Sequence, residues 1–327
     1  MFETLNNLKL KHSIQISKFK FRIATTIVAF ALLFASSTAV QAQTISLSIW
    51  PPLLEVQMVP GKSVIQNYQL ANNTDSFLEI TPAIAPFEPD GENGQIKILP
   101  ADNSPYFFSF TTKEKFNKSF TLNPKETRQL SLKITLPKNN AEKDYYFTLL
   151  FSSSANRQDQ KNQAASVTKI GTNILLTSSS VEKPALLGRI YRFSTPMIID
   201  SFSPVDFDLV LENFGRTFFK PFGQITVAGL LKQKGEIKLL EQNILSGSKR
   251  KLTLSSYKPH LPLGPFKAKL EFSLNEEGAL PVLSSQIVFW YLPYRLIALS
   301  AGIFLLLMVR KNLIKSENKP KHPLDNG

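Results

Sequence analysis

Few residues in this chain have the types and spacing to do chemistry, and most of them fail on context. Between residues 43 and 288 there is a single histidine, His260, set between Pro259 and Leu261. A histidine-based triad or a multi-histidine metal site would rest on that residue or fail, and its setting reads as a loop. Ser-x-x-Lys occurs at Ser246 to Lys249 and again at Ser255 to Lys258. Acylation by such a pair needs the serine at a helix start together with partner motifs, and both matches lie in turn-like polar stretches without those partners. The absence of cysteine removes disulfides, thiol nucleophiles and cysteine metal ligands together. The expectation is a non-enzyme that carries no cofactor.

Three other features suit binding. Glu88, Asp90 and Glu92, with Gly91 and Gly94, put oxygen donors on a bent loop that could ligate calcium, but the spacing is not that of an EF-hand and an acidic hairpin tip explains it as well. No metal is therefore assigned. Tyr106, Phe107, Phe108 and Phe110 beside Pro105 form an aromatic cluster that either offers a contact surface to a partner or is buried under a loop. Residues 167–177 are β-branched in part and follow a polar loop, which makes them a candidate exposed edge able to accept a strand from another protein. The candidate partner-binding residues are Ile170, Ile174, Leu176, Tyr106, Phe107 and Phe108.

These residues sit in a region whose apolar positions alternate with period two, so the elements that position them are strands. Tyr145, Phe147, Leu149 and Phe151 share one face, as do Leu130, Leu132, Ile134 and Leu136. Phe266, Ala268, Leu270, Phe272 and Leu274 form a third such row, with Lys267, Lys269 and Glu271 opposite. One buried and one wet face is the requirement of an antiparallel sandwich. The two halves also echo each other: QNYQLANN at 66–73 with FDLVLENF at 207–214, LNPKETRQLSL at 122–132 with LSGSKRKLTL at 245–254, and DYYFTLLF at 144–151 with GPFKAKLEF at 264–272. The first copy has extra residues around 90–116 and a polar loop over 152–165. The fold class expected is all-β, two tandem immunoglobulin-like β-sandwich domains followed by a single C-terminal transmembrane helix.

The boundaries expected are a signal peptide at 1–42, a first sandwich at 43–183, a second at 184–288, a transmembrane helix at 289–310 and a cytoplasmic basic tail at 311–327. Residues 23–40 are apolar or small and follow Lys9, Lys11, Lys18, Lys20 and Arg22, with Val40 and Ala42 placed for signal-peptide cleavage. Residues 296–309 carry no charge; Phe289, Trp290, Tyr291 and Tyr294 read as an aromatic belt, Arg295 as a snorkelling residue, and Arg310 and Lys311 as the cytoplasmic anchor. That arrangement would leave the N-terminus outside. The net charge of +13 is largely topological: five basic residues and one acidic in 1–42 give +4, and five basic and two acidic in 310–327 give +3. The remaining excess calls for no nucleic-acid partner, since no arginine-rich run with interleaved aromatics occurs between the two segments.

The opening ISLSIWPPLLEVQMVPGKSVIQNYQLANN, the FEPDGENGQI insert and DYYFTLLF resemble the first domain of WxL-interacting proteins. ENFGRTFFKPFGQITVAGLL, LSGSKR and GPFKAKLEF, then a tryptophan-proline entry into a terminal helix, are similar to the second domain of that family. The resemblance implies an envelope-anchored protein whose first domain contacts peptidoglycan and whose second contacts a surface protein. The first domain also resembles the general fold of pilus chaperones. The expected function is a membrane-anchored extracytoplasmic binding or scaffolding protein with wall-polymer, envelope-protein and membrane partners; the alternative is a pilus-chaperone-like assembly factor that captures strands of exported subunits.

Overall fold

The computed structural model describes residues 47–100, 107–155, 167–275 and 282–317. The expected signal peptide and Tyr106 lie outside the described residues. Ten strands build the first sandwich: β1 (Leu47–Trp50), β2 (Leu53–Met58), β3 (Ser63–Asn72), β4 (Leu78–Asp90), β5 (Gln95–Ile98), β6 (Phe108–Phe110), β7 (Phe120–Leu122), β8 (Thr127–Thr135), β9 (Asp144–Ala155) and β10 (Val167–Ser178). Eight more build the second: β11 (Gly188–Ser194), β12 (Ile198–Asp200), β13 (Asp208–Asn213), β14 (Phe222–Ala228), β15 (Lys234–Lys238), β16 (Lys249–Lys251), β17 (Gly264–Ser273) and β18 (Leu283–Leu292). The helix α1 (Tyr294–Glu317) follows.

In the first sandwich one sheet runs β1-β3-β8-β6 and the other β2-β10-β9-β4-β5, with β7 also on β4. The second repeats the plan with β11-β13-β16 facing β12-β18-β17-β14-β15. Each copy has one parallel pairing, β2 with β10 and β12 with β18. The prolines at 51 and 52 separate β1 from β2, and there the chain leaves one sheet for the other, because proline has no N–H to continue a ladder. Thr172 ties this crossing to β10 by donating its hydroxyl to the Pro51 carbonyl at 2.7 Å.

The period-two rows meet as expected. Leu130, Leu132 and Ile134 of β8 pack with Phe147, Leu149 and Phe151 of β9 and Tyr68 and Leu70 of β3 in one core. Phe266, Ala268, Leu270 and Phe272 of β17 pack with Leu209 and Leu211 of β13 and Ile225 and Val227 of β14 in the other. Each large side chain so buried contributes about 1.5–3 kcal/mol. The echo between halves extends to a hydrogen-bond motif. Asn72, at the end of β3, donates to the Ser76 carbonyl at 2.8 Å and accepts from the Thr74 N–H at 2.9 Å. Asn213, at the end of β13, donates to the Thr217 carbonyl and accepts from the Gly215 N–H, both at 2.9 Å. Both asparagines are buried, and each closes its turn with groups that would otherwise be left unpaired.

The C-terminal expectation needs correction. No helix among the described residues is long and apolar enough to cross a membrane, which overturns the transmembrane span at 289–310, the single-pass orientation and the membrane as a partner through that helix. The reason lies in the flanks. The uncharged run 296–309 rises about 21 Å, short of a bilayer core of ~30 Å, and three of the aromatic residues expected to extend it, Phe289, Trp290 and Tyr291, belong to β18. Phe289 and Tyr291 are fully buried in the second core, and the exposed Trp290 donates its backbone N–H to Met197 at 2.8 Å. Tyr294 opens α1, and Arg295 is tied to the buried Asp200, its N–H donating to Oδ1 at 3.3 Å and its Nε lying 3.9 Å from Oδ2. Arg310 and Lys311 are exposed in the later turns of α1. The second sandwich therefore extends through Leu292 instead of ending at 288.

Candidate functional site

The edge of β10 divides into two halves. Residues 173–178 pair in parallel with residues 53–58 of β2, whereas residues 167–172 pair only with β9 among the described residues. The Asn173 N–H donates toward Pro52 on the β2 side at 3.3 Å. Backbone groups alternate direction along a strand, so the N–H and C=O of Val167, Lys169 and Gly171 face that same side, beyond the end of β2. Among the described residues no strand pairs with that side of 167–171, which makes it a template for an added strand.

The structure buries two of the contact residues expected on this strand. Ile174 and Leu176 are fully buried in the first core, under β2, and cannot meet a partner. Ile170 is half-buried and packs on the same core. Phe107 and Phe108 also pack there: Phe107 meets Tyr145 edge-on at 5.9 Å, and Phe108 meets Phe147 edge-on at 4.8 Å. Both rings are half-buried.

The outer face of the β10-β9-β4 sheet was expected to be wet, yet Thr148 on it is buried. The second sandwich covers this face. Phe87, Leu175 and Leu245 form a small core across the junction, joined by Ile96, Tyr146 and Phe218, with the Phe87 and Tyr146 rings stacked 5.6 Å apart. Beside it, Asp144 accepts from the Tyr146 hydroxyl and the Thr177 hydroxyl, each at 2.8 Å, and from the Phe218 N–H at 2.5 Å. The Tyr146 oxygen in turn accepts from the Ser246 N–H at 2.8 Å. Burial pushes the Asp144 carboxyl above its ordinary range against the pull of these donors, and burial followed by the Asp144 charge pushes the Tyr146 phenol up as well. Sequence reasoning missed this network. Its one trace was that the second copy carries Gly264 where the first carries Asp144.

The acidic loop is a clasp between the sandwiches. Glu92, at the β4–β5 hairpin tip, pairs with Arg192 of β11 at 3.1 Å, and its carbonyl accepts from the Lys251 N–H at 2.6 Å. Arg192 also pairs with Asp208, which Lys251 approaches at 3.0 Å. Glu88 pairs with Lys97 at 3.3 Å, within the hairpin. No group of three or more acidic, histidine or cysteine side chains among the described residues could hold a metal ion. Glu55 of β2 adds a second link, to Lys220 at 2.7 Å and to the Asn243 amide at 2.5 Å. A cavity of about 230 Å³ lies between these contacts, lined by residues of both sandwiches.

The structure places the catalytic candidates of the sequence in the second sandwich. His260 is exposed on a bend. Ser246 donates to the Gly215 carbonyl at 2.7 Å within a turn, and Lys249 sits over the Tyr191 ring at 3.6 Å.

No family model matches the chain, and no curated protein matches it. Among solved structures, it is similar to the YadV chaperone (11% identity, 75% of this chain and 100% of the other, TM-score 0.38) and to the class 5 fimbriae chaperone CfaA (12%, 75% and 100%, 0.38). It is also similar to the Salmonella enterica SafA pilin in complex with the SafB chaperone (10%, 75% and 98%, 0.37). Similarity at this level carries no argument about ligand or role.

Proposed function

We propose that this chain is a non-enzymatic binding protein of a bacterial envelope that captures an extended segment of an exported protein along the open half of β10. The observation that carries the reading is the end of the β2 pairing at Asn173, which leaves residues 167–171 without a strand partner on that side among the described residues. An added strand would gain main-chain hydrogen bonds from Val167, Lys169 and Gly171. The exposed Lys169 on that edge discourages indiscriminate pairing. The junction supports this role by holding β9 and β10 against the second sandwich, so that the edge is presented on a rigid body.

The test is photo-crosslinking from position 169 of the full-length chain in cells that secrete its partners. Capture of an extended segment, abolished by Val167→Pro, supports strand addition. Crosslinks that persist in the proline variant overturn it. The wall-polymer role rests on the resemblance to WxL-interacting proteins, and its measure is co-sedimentation with isolated peptidoglycan across a salt series. Saturable binding that survives salt would replace the strand-capture reading; binding lost at modest salt reports basic charge only.

A further inference from the structure

The β4–β5 hairpin turns through Gly91, Glu92, Asn93 and Gly94, and the second sandwich holds its tip from one side. The Glu92 carbonyl, one residue before Asn93, accepts from the Lys251 N–H at 2.6 Å, and the Glu92 carboxylate is engaged by Arg192 at 3.1 Å. Asn93 is exposed. Gly94 follows it with a φ of +74°, a backbone conformation that favours glycine, and carries no side chain to obstruct its own nitrogen. No backbone hydrogen bond among the described residues holds the Gly94 N–H. An asparagine followed by such a glycine has its side-chain carbonyl carbon within reach of the next backbone nitrogen, an intramolecular attack whose entropy cost is already met. The attack still requires the N–H to lose its proton. A fixed cation stands beside it: a Cβ on Gly94 would lie 2.7 Å from Cζ and 2.8 Å from Nη2 of Arg250 on β16. That guanidinium donates Nη1 to the Asn243 carbonyl at 2.6 Å and makes no ion pair among the described residues, so its charge is not neutralised there. It favours the deprotonated nitrogen and the oxyanion that forms on attack.

We propose that this hairpin tip modifies itself, with Asn93 as the site and Arg250 as the group that promotes the step. The Gly94 nitrogen bonds to Cγ of Asn93 and gives up its proton, the bond from Cγ to the side-chain nitrogen breaks, and ammonia leaves. The cyclic succinimide so formed is opened by water to aspartate or isoaspartate. Either product adds a negative charge beside Arg250, in the loop that clasps the two sandwiches, and isoaspartate also lengthens the backbone there. The site is separate from the edge of β10, so this reading and strand capture can fail independently.

Peptide mapping by mass spectrometry of the full-length chain, incubated at neutral pH alongside the synthetic peptide FEPDGENGQI, tests it. The expected result is conversion of Asn93 in the folded chain at least as fast as in the peptide. A charge beside a titrating group shifts its proton equilibrium by about tenfold, so Arg250→Gln is expected to slow conversion in the folded chain by that factor. Arg250→Lys keeps a cation and recovers part of the rate, and in denaturant the native chain and both variants convert alike. Asn93 that outlasts the peptide in the native chain overturns the proposal whether or not the variants fold, as does conversion of folded Arg250→Gln at the native rate.

Discussion

The carboxylate of Asp144, on β9 of the first sandwich, accepts a 2.5 Å hydrogen bond from the backbone N–H of Phe218 in the second. Asp144 is 8% exposed and also holds the hydroxyls of Tyr146 and Thr177, so one side chain satisfies donors from both domains. Its removal as Asp144→Ala leaves those donors buried without a partner, at about 1–3 kcal/mol for such a group. Chemical denaturation of the variant is expected to show that loss, with the second sandwich unfolding separately from the first. An unchanged single transition would contradict the role of Asp144 as the tie.

The two halves of β10 should respond oppositely to substitution. Ile174→Lys buries a charge in the first core and is expected to unfold that sandwich. Lys169→Pro removes an N–H that faces away from β9 and is expected to shift stability by no more than about 1 kcal/mol. Circular dichroism melts of both variants check this; a severe loss in the proline variant would mean that the edge is covered.

Acid should loosen the clasp at Arg192. Burial raises the Asp208 carboxyl, but the hydrogen bonds and charges of Lys251 and Arg192 outweigh it and hold the group below its ordinary range. A carboxyl depressed in the folded state contributes stability above its unfolded value of about 3.9, and loses it as pH falls through the folded value. The native chain should therefore exceed Asp208→Asn in stability at neutral pH, and the difference should narrow below about pH 4. A difference that widens in acid would reverse the sign and refute the pairing. Arg192 itself is half-exposed, so the effect is expected to shrink in salt.

Gly223 of β14 has no room for a side chain. A Cβ there would fall 2.1 Å from the Glu271 carbonyl oxygen of β17, a backbone atom that cannot turn aside. Gly223→Ala is expected to separate the β14–β17 ladder and to cost at least about 1–3 kcal/mol. Hydrogen exchange localised to β14 and β15 would show it; exchange unchanged from the native chain would not fit.

Alternation along β8, β9 and β17 determined which faces are buried, because a strand sends successive side chains to opposite sides whatever surrounds it. The echo of 66–73 in 207–214 likewise determined the duplication, since the asparagine that closes each turn acts on residues two and four positions ahead. Both are local properties. What only the tertiary structure decided depends on partners distant in sequence. Phe289 and Tyr291 read as an interfacial belt until β17 and β12 enclosed them, and Glu92 read as part of an acidic hairpin tip with no partner named until Arg192 lay opposite, a hundred residues on. The same holds for Ile174, an edge residue by composition and a core residue because β2, from the far end of the domain, pairs over it. Residue type sets what a side chain can exchange with its surroundings; the fold alone sets what those surroundings are.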